Sequence, residues 1–378
     1  MDFAFTPDQQ LLRQSVRAFL AEEAPPKVVR ALMDDPLGYS EPLWGEMAAL
    51  GWLGLPFAEP YGGAGLGMVE LALVLEETGR AAFPSPYFPS VVLAGSTLAL
   101  AGSPAQKEKL LTGIAGGRVR ATLAFLEGGL DWGPGGISMR AERQGSSFVL
   151  RGVKRFVPWA HAAEVILVPA RTSSGDGPPG ISLFLVDRAT PGISVSPMTG
   201  IDLTTRWAEV FFSEVVVPGD ALLGAEGRAW AALESTLQIA AVGAAAEMLG
   251  AARRCLTMST EYAKVREQFG QPIGSFQAIK HKCAEMLLEV ENAHSAVYYA
   301  AWALDAKAPD AAVAASVAKS YVGDAARRVS GEAIQVHGGI GFTWEYDLHL
   351  YFKRAKALEP LYGDQEFHRE LIVGHVAS

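Results

Sequence analysis

The sequence predicts an α+β protein: an N-terminal helical domain, a central antiparallel β sandwich or barrel, and a C-terminal antiparallel bundle of the four-helix type. Three observations predict it. Apolar residues recur at helical spacing up to about residue 117. Short β-rich runs separated by Gly and Pro fill 118–226, and beyond Gly227 long proline-free segments return to helical spacing. The implied domains are 1–117, 118–226 and 227–378. A chain of 378 residues exceeds one ordinary core, and 49% hydrophobic against 19% charged residues describes a packed rather than a disordered chain.

The first helix is signalled by Thr6-Pro7-Asp8-Gln9, an N-cap, a Pro at the first helical position and a capping-box Gln. Leu11, Leu12, Val16, Phe19 and Leu20 then fall on one face. The opening residues 1–10 carry no basic segment ahead of an apolar one, so no secretory signal is expected. Further helices are broken by Gly51, Pro56 and the cluster Pro60 to Gly67. That cluster misses the dinucleotide spacing G-x-G-x-x-G because position 68 is Met, and it reads as a turn between helices.

The β region contains the runs Phe148–Leu150, Val165–Val168, Ile181–Val186, Val210–Phe212 and Val215–Val217, with Ser173 to Gly180 as a hairpin loop. No helix-length segment separates these runs, which predicts antiparallel pairing and excludes a Rossmann unit. Residues 229–266 lack proline, 275–306 place Ile279, Cys283, Met286, Leu287 and Val290 at helical spacing, and a third helix is expected over 309–336.

Several function classes fall away. Net charge is −9 with no Lys/Arg stripe, which argues against nucleic acid. No apolar run reaches the ~18–20 residues of a membrane span, so a cytoplasmic protein is the default expectation. Cys255 and Cys283 sit in apolar helical patterns and read as core thiols, and the seven histidines show no HExxH spacing, so no metal site is expected.

Two motifs remain. Tyr262 precedes Arg266-Glu267-Gln268-Phe269-Gly270-Gln271-Pro272-Ile273, followed by Phe276-Gln277; later comes Gln335-Val336-His337-Gly338-Gly339-Ile340-Gly341. An Arg at a helix C-terminus by itself is more often a dipole complement than a ligand. Together the two motifs resemble the acyl-CoA dehydrogenase family, whose C-terminal signatures are Arg-x-x-Phe-Gly-x-x-Ile with a following Gln, and Gln-x-x-Gly-Gly-x-Gly. The opening helix, the Tyr61-Gly62-Gly63 turn and the helix–sheet–helix order match too, so the resemblance covers essentially the whole chain.

The resemblance implies an acyl-CoA dehydrogenase fold and FAD-dependent α,β-desaturation of an acyl-CoA thioester, with electrons passed to an electron-transferring flavoprotein or similar acceptor. In the family a carboxylate removes the α-proton while a hydride passes from the β-carbon to the flavin, and the two motifs bind the ADP half of the neighbouring subunit's FAD. Carried over, these cofactor-binding roles fall on Arg266, Phe269, Gln277, Gln335, Gly338 and Gly339. The chemistry agrees: a guanidinium forks onto pyrophosphate oxygens, and a Gly-Gly pair lets backbone N–H groups approach phosphate. His337 beside them reads as structural or as a polar neighbour of the phosphate.

Elsewhere the pattern departs. The family base, a Glu, directly precedes Gly-Thr or lies about ten residues before the counterpart of Gly250; here those positions hold Tyr362 and Ala240, with Ala241 in place of an accompanying Arg. Leu126 and Pro158 replace hydroxyl residues that reach the flavin ring, and Asp364 replaces a Thr after Gly363, so near pyrophosphate that its charge would repel it. The pattern resembles subunits of actinobacterial steroid side-chain enzymes, in which two related chains form an α2β2 heterotetramer and one lends the other its ADP-binding half. No catalytic residue is therefore assigned to this chain. Two alternatives stay open: a homomeric enzyme using Glu359 or Asp364 as a displaced base, and a base-free flavin monooxygenase.

Overall fold

The computed structural model describes residues 4–377. The helices before the sheet are α1 (Pro7–Glu23), α2 (Pro26–Asp34), α3 (Glu41–Ala49), α4 (Met68–Arg80), a π-helical turn Phe88–Gly95, α5 (Ser96–Ala101) and α6 (Pro104–Ala115). Strands follow as β1 (Ala121–Leu123), β2 (Arg140–Gln144), β3 (Ser147–Pro158), β4 (Val165–Arg171), β5 (Ile181–Asp187), β6 (Ile193–Met198), β7 (Trp207–Pro218) and β8 (Leu222–Leu223). Then come α7 (Trp230–Val265), the short strands β9 (Glu267–Gln268) and β10 (Gln271–Pro272), α8 (Gln277–Asp305), α9 (Ala311–His337), α10 (Leu348–Leu358) and α11 (Gln365–Ala377). The fold is the expected one: helices, a β sheet, then helices.

By packing, the chain forms two units. One comprises 1–33, 67–83 and 241–378; the other comprises 34–66 and 84–240. In the second unit the sheet runs β6-β7-β3-β2-β4-β5-β8, with β1 added to β4. Its core is built by Phe148, Leu150, Ile166, Val168, Phe184, Val210, Phe212, Val215 and Val217. Most pairing is antiparallel as expected, but β1 runs parallel to β4 (Ala121 opposite Val165), and β2 touches β4 in parallel at Arg140–Arg171. The expectation of a wholly antiparallel sheet is corrected here. The crossover between β1 and β4 is made by the β2–β3 hairpin rather than by a helix, so the absence of a helix did not exclude a parallel pair.

The runs Val210–Phe212 and Val215–Val217 form one strand rather than two. Buried positions alternate through Ala208, Val210 and Phe212, then resume one residue late at Val215 and Val217. A β-bulge absorbs the slip: Leu150 faces Val215 while Gly152 faces Phe212, and Glu214 takes φ 54°. The Pro60–Gly67 cluster is a turn, as expected. Gly65 N–H donates to the Phe57 carbonyl and Ala64 N–H to that of Gly54, an approach that a Cβ on Gly63 would block by overlapping the Phe57 carbonyl.

In the first unit α1 has the capping box that Thr6 and Gln9 promise. Val16 and Leu20 are buried, but Leu11 is 65% exposed, so the apolar face is narrower than its spacing suggests. Residues 1–3 of the opening segment lie outside the described residues. Helix α4 crosses α7 with backbones nearly in contact: a Cβ on Gly250 would overlap the Glu76 carbonyl and one on Gly79 the Glu247 carbonyl. An Ala-rich face of α9 (Ala315, Ala318, Ala325, Ala326) is buried with Val322 and Val329. Cys255 is buried, and burial pushes its thiol up to about 12, whereas Cys283 is only half-buried and half departs from the expectation of two core thiols.

Candidate functional site

Both C-terminal motifs meet at one pocket of about 570 Å³ in the first unit, lined by Tyr262, Arg266, Phe269, Gln335, Gly338 and Gly339 among others. Helix α7 ends at Val265, and the chain turns back through β9 and β10, where Gln268 pairs with Gln271. Phe269 (φ 54°) and Gly270 (φ 79°) form the tip, both left-handed as a tight two-residue hairpin requires. This holds the Phe269 ring 92% exposed, with one edge against Phe276 at 6.0 Å between centroids. An exposed aromatic on a hairpin tip contributes nothing to the core of its own chain.

The opposite wall is the end of α9. Gly338 terminates the helix at φ 63°, ψ −142°, a conformation closed to L side chains, and a Cβ on Gly338 or Gly339 would meet nothing within 4 Å. Their backbone therefore faces open space. Gln335 is exposed on the last turn. Among the described residues no carboxylate lies within 4.0 Å of the Arg266 guanidinium, which leaves it available to an anion. Gln277 opens α8 in an exposed position and does not line the pocket.

His337 is held as a spacer. It is 4% exposed, its Nδ1 donates to the Ala333 carbonyl at 2.7 Å, and its ring stacks on Tyr262 at 4.4 Å. Burial holds its pKa below the ordinary histidine value, so it brings no fixed charge to the pocket.

At the base position the structure is closed. Tyr362 is 6% exposed with φ 60°, and burial, with the charge of Glu247 adding to it, pushes its phenol far above the ordinary tyrosine value. The turn is gripped from below by Lys319 on α9, which sequence reading missed. Its Nζ donates to the carbonyls of Glu359 at 2.7 Å and Gly363 at 2.8 Å, and burial lowers its pKa to about 7. His368 Nε2 donates to the Tyr362 carbonyl at 3.0 Å, so Nδ1 accepts from Ser316 Oγ at 3.2 Å. Burial and the nearby Lys319 charge keep that imidazole neutral, with a pKa of about 4. Only the Ala-rich pattern of α9 around a lone Lys could have flagged Lys319.

The carboxylates nearby have other work. Glu359 pairs with Lys356 at 3.2 Å, and Asp364 Oδ1 accepts from the Phe367 N–H at 2.9 Å, capping α11. Glu247 on α7, also missed, lies 3.4 Å from Thr78 Oγ1. Ala240 and Ala241 are buried in α7.

The sheet positions are internal as well. Leu126 is 5% exposed and its carbonyl accepts from the Arg155 N–H. The Pro158 carbonyl accepts from Thr122 Oγ1 at 2.7 Å. Beside Leu126, Glu127 is buried; burial opposes its charge, but Lys154 at 2.7 Å, Ser138 and the Met139 N–H hold it below the ordinary carboxylate pKa. No cluster of metal ligands and no helix long and apolar enough to cross a membrane occurs among the described residues.

Family models for the N-terminal, middle and C-terminal domains of acyl-CoA dehydrogenases match residues 6–118, 127–215 and 227–377. The probable acyl-CoA dehydrogenase YngJ of Bacillus subtilis is 34% identical over 98% of this chain and 98% of its own length. Butyryl-CoA dehydrogenase from Megasphaera elsdenii matches with a TM-score of 0.93 at 30% identity, covering 100% of each chain. A chain of the ChsE4-ChsE5 complex from Mycobacterium tuberculosis matches with a TM-score of 0.90 at 29% identity, covering 100% of this chain and 99% of that one.

Proposed function

The chain belongs to the acyl-CoA dehydrogenase family, a family of FAD-dependent oxidoreductases, and from that premise we propose that it is the subunit that lends half a cofactor site to a related chain. In this reading Arg266, Phe269, Gln335, Gly338 and Gly339 hold the ADP half of an FAD whose flavin ring and catalytic Glu belong to a partner. Gln277 completes the set from the start of α8.

One observation carries the proposal: the two halves of the expected site have opposite character. The pocket at Arg266 fits a diphosphate. It has an uncommitted guanidinium, an open Gly-Gly backbone and an exposed aromatic face. The ring-side positions do not fit. Leu126 and Pro158 offer no side-chain donor, and Tyr362 is buried where a carboxylate would have to meet substrate. The displaced-base alternative loses support because Glu359 and Asp364 are engaged in a salt bridge and a helix cap. The likeness to a chain of a two-component complex, ChsE4-ChsE5, supports a related partner, and the likeness to a chain of the Tcur3481-Tcur3483 steroid enzyme supports a steroid-type acyl-CoA substrate for the pair. FAD supplies the hydride acceptor of such a complex, and this chain's residues bind and orient its diphosphate.

The test is expression of the chain alone and together with a relative carrying Glu at either base position. Alone, it should be nearly colourless and inactive toward acyl-CoA; together, the complex should bind FAD and turn over. A yellow, active single chain would overturn the proposal.

A further inference from the structure

A second pocket in the first unit, of about 240 Å³, lies among α1, α4, α7 and α10 and shares no residue with the Arg266 pocket. Three guanidiniums line it, those of Arg17, Arg80 and Arg254, with one carboxylate, Glu77, and the Tyr351 hydroxyl. The carboxylate is already engaged. Glu77 is 1% exposed and accepts a two-pronged pair from Arg17, Nε at 2.9 Å and Nη2 at 2.5 Å. Arg80 Nε reaches it only at 3.8 Å. Arg254 has no carboxylate within 4.0 Å among the described residues and shares the pocket with the Tyr351 hydroxyl, which burial keeps neutral.

The pocket therefore holds three positive charges against one negative, leaving two uncompensated in a partly enclosed space. Burial holds the Arg80 guanidinium below the ordinary arginine value, and the charge of Arg17 adds to that effect ahead of Arg254. Cations crowded this way repel one another, and an arrangement that serves only the fold would neutralise them. Nothing among the lining residues does.

We propose that this pocket binds a compact, doubly charged oxyanion. Two charges match the two uncompensated guanidiniums, and guanidinium forks suit carboxylate and phosphate oxygens. The volume of about 240 Å³ has room for inorganic phosphate or a short dicarboxylate. Leu20, Ala24 and Ala81 form an apolar wall against which a short carbon stem can lie.

The experiment uses the purified full chain at low ionic strength, with inorganic phosphate and succinate as probes and sodium chloride at matched ionic strength as control. Calorimetric titration and thermal unfolding should show saturable binding and a rise in Tm for at least one dianion, beyond that given by chloride. Phosphate alone would mark a phosphate site, succinate alone a dicarboxylate site. Arg80→Gln and Arg254→Gln should each weaken binding about tenfold or more, and Lys109→Gln, exposed on α6 outside both pockets, should leave it unchanged. Two variants are used so that poor folding of one does not decide the result. Absence of a saturable effect from either dianion, or binding retained in both pocket variants, would overturn the proposal. These readouts need neither FAD nor a partner subunit, so they stand or fall separately from the cofactor reading.

Discussion

Replacing Lys319 by Met tests the construction of the closed base position. The wild-type side chain is 2% exposed and grips the carbonyls of Glu359 and Gly363. Burial takes its pKa from the ordinary 10.5 to about 7. Between those values the unfolded chain keeps a proton that the folded chain has released, so stability rises with pH across the window and is lowest below pH 7. The full span corresponds to about 5 kcal/mol, of which roughly 2–3 kcal/mol falls between pH 6 and pH 9. His368, with a pKa of about 4 when folded against the ordinary 6.5 when unfolded, adds roughly 1 kcal/mol of its own over the same pH range, so the difference between wild type and variant, rather than either protein alone, reports Lys319. The Met variant loses this dependence and leaves two carbonyls without Nζ, each at about 1–3 kcal/mol. Urea unfolding of both proteins at pH 6 and pH 9 measures the difference. Wild type should gain on the variant by roughly 2–3 kcal/mol as pH rises. A gap that stays constant, or moves the other way, would show that Lys319 is not a buried amine of lowered pKa.

Other outcomes follow from the same geometry. Gly250→Ala, whose Cβ would overlap the Glu76 carbonyl, should destabilise the protein by about 3 kcal/mol or more or leave it insoluble, whereas Gly331→Ala on α9, with nothing within 4 Å, should be neutral or stabilise by up to about 1 kcal/mol; thermal melts separate them. In a complex with a partner, Arg266→Gln should weaken FAD retention roughly tenfold or more, read by flavin absorbance after gel filtration. Neutral isosteres at Glu359, Asp364 and Glu247 should each leave the complex's kcat within about twofold; a loss of ~10²-fold or more at any of them would identify it as the base.

Much of this structure is legible in the sequence because the information is local. Thr6 and Gln9 cap α1 within one turn, and Gly338 ends α9 where its φ demands a glycine. The Arg266 motif lies between two helices whose ends are marked by composition. What escaped depends on residues far apart. The bulge at Glu214 is visible only when β7 is set against β3, since the sequence shows just a slip in alternation. The β1–β4 parallel pair depends on a hairpin folding away between them. Lys319 looked like an ordinary helical lysine because its acceptors, Glu359 and Gly363, come from a turn forty residues on. The Arg80–Arg254 pocket gathers side chains from four helices, none of which carries a motif. Leu11 shows the converse error: its spacing is right for the apolar face, but the side chain is left 65% exposed.

The most direct test of the account is the flavin stoichiometry of the chain co-purified with a relative that carries the catalytic Glu. If this chain contributes only the ADP-binding half, protein-corrected flavin absorbance should give about one FAD for each pair of subunits, and almost none for this chain purified by itself. One FAD per subunit, or full occupancy of this chain alone, would contradict it.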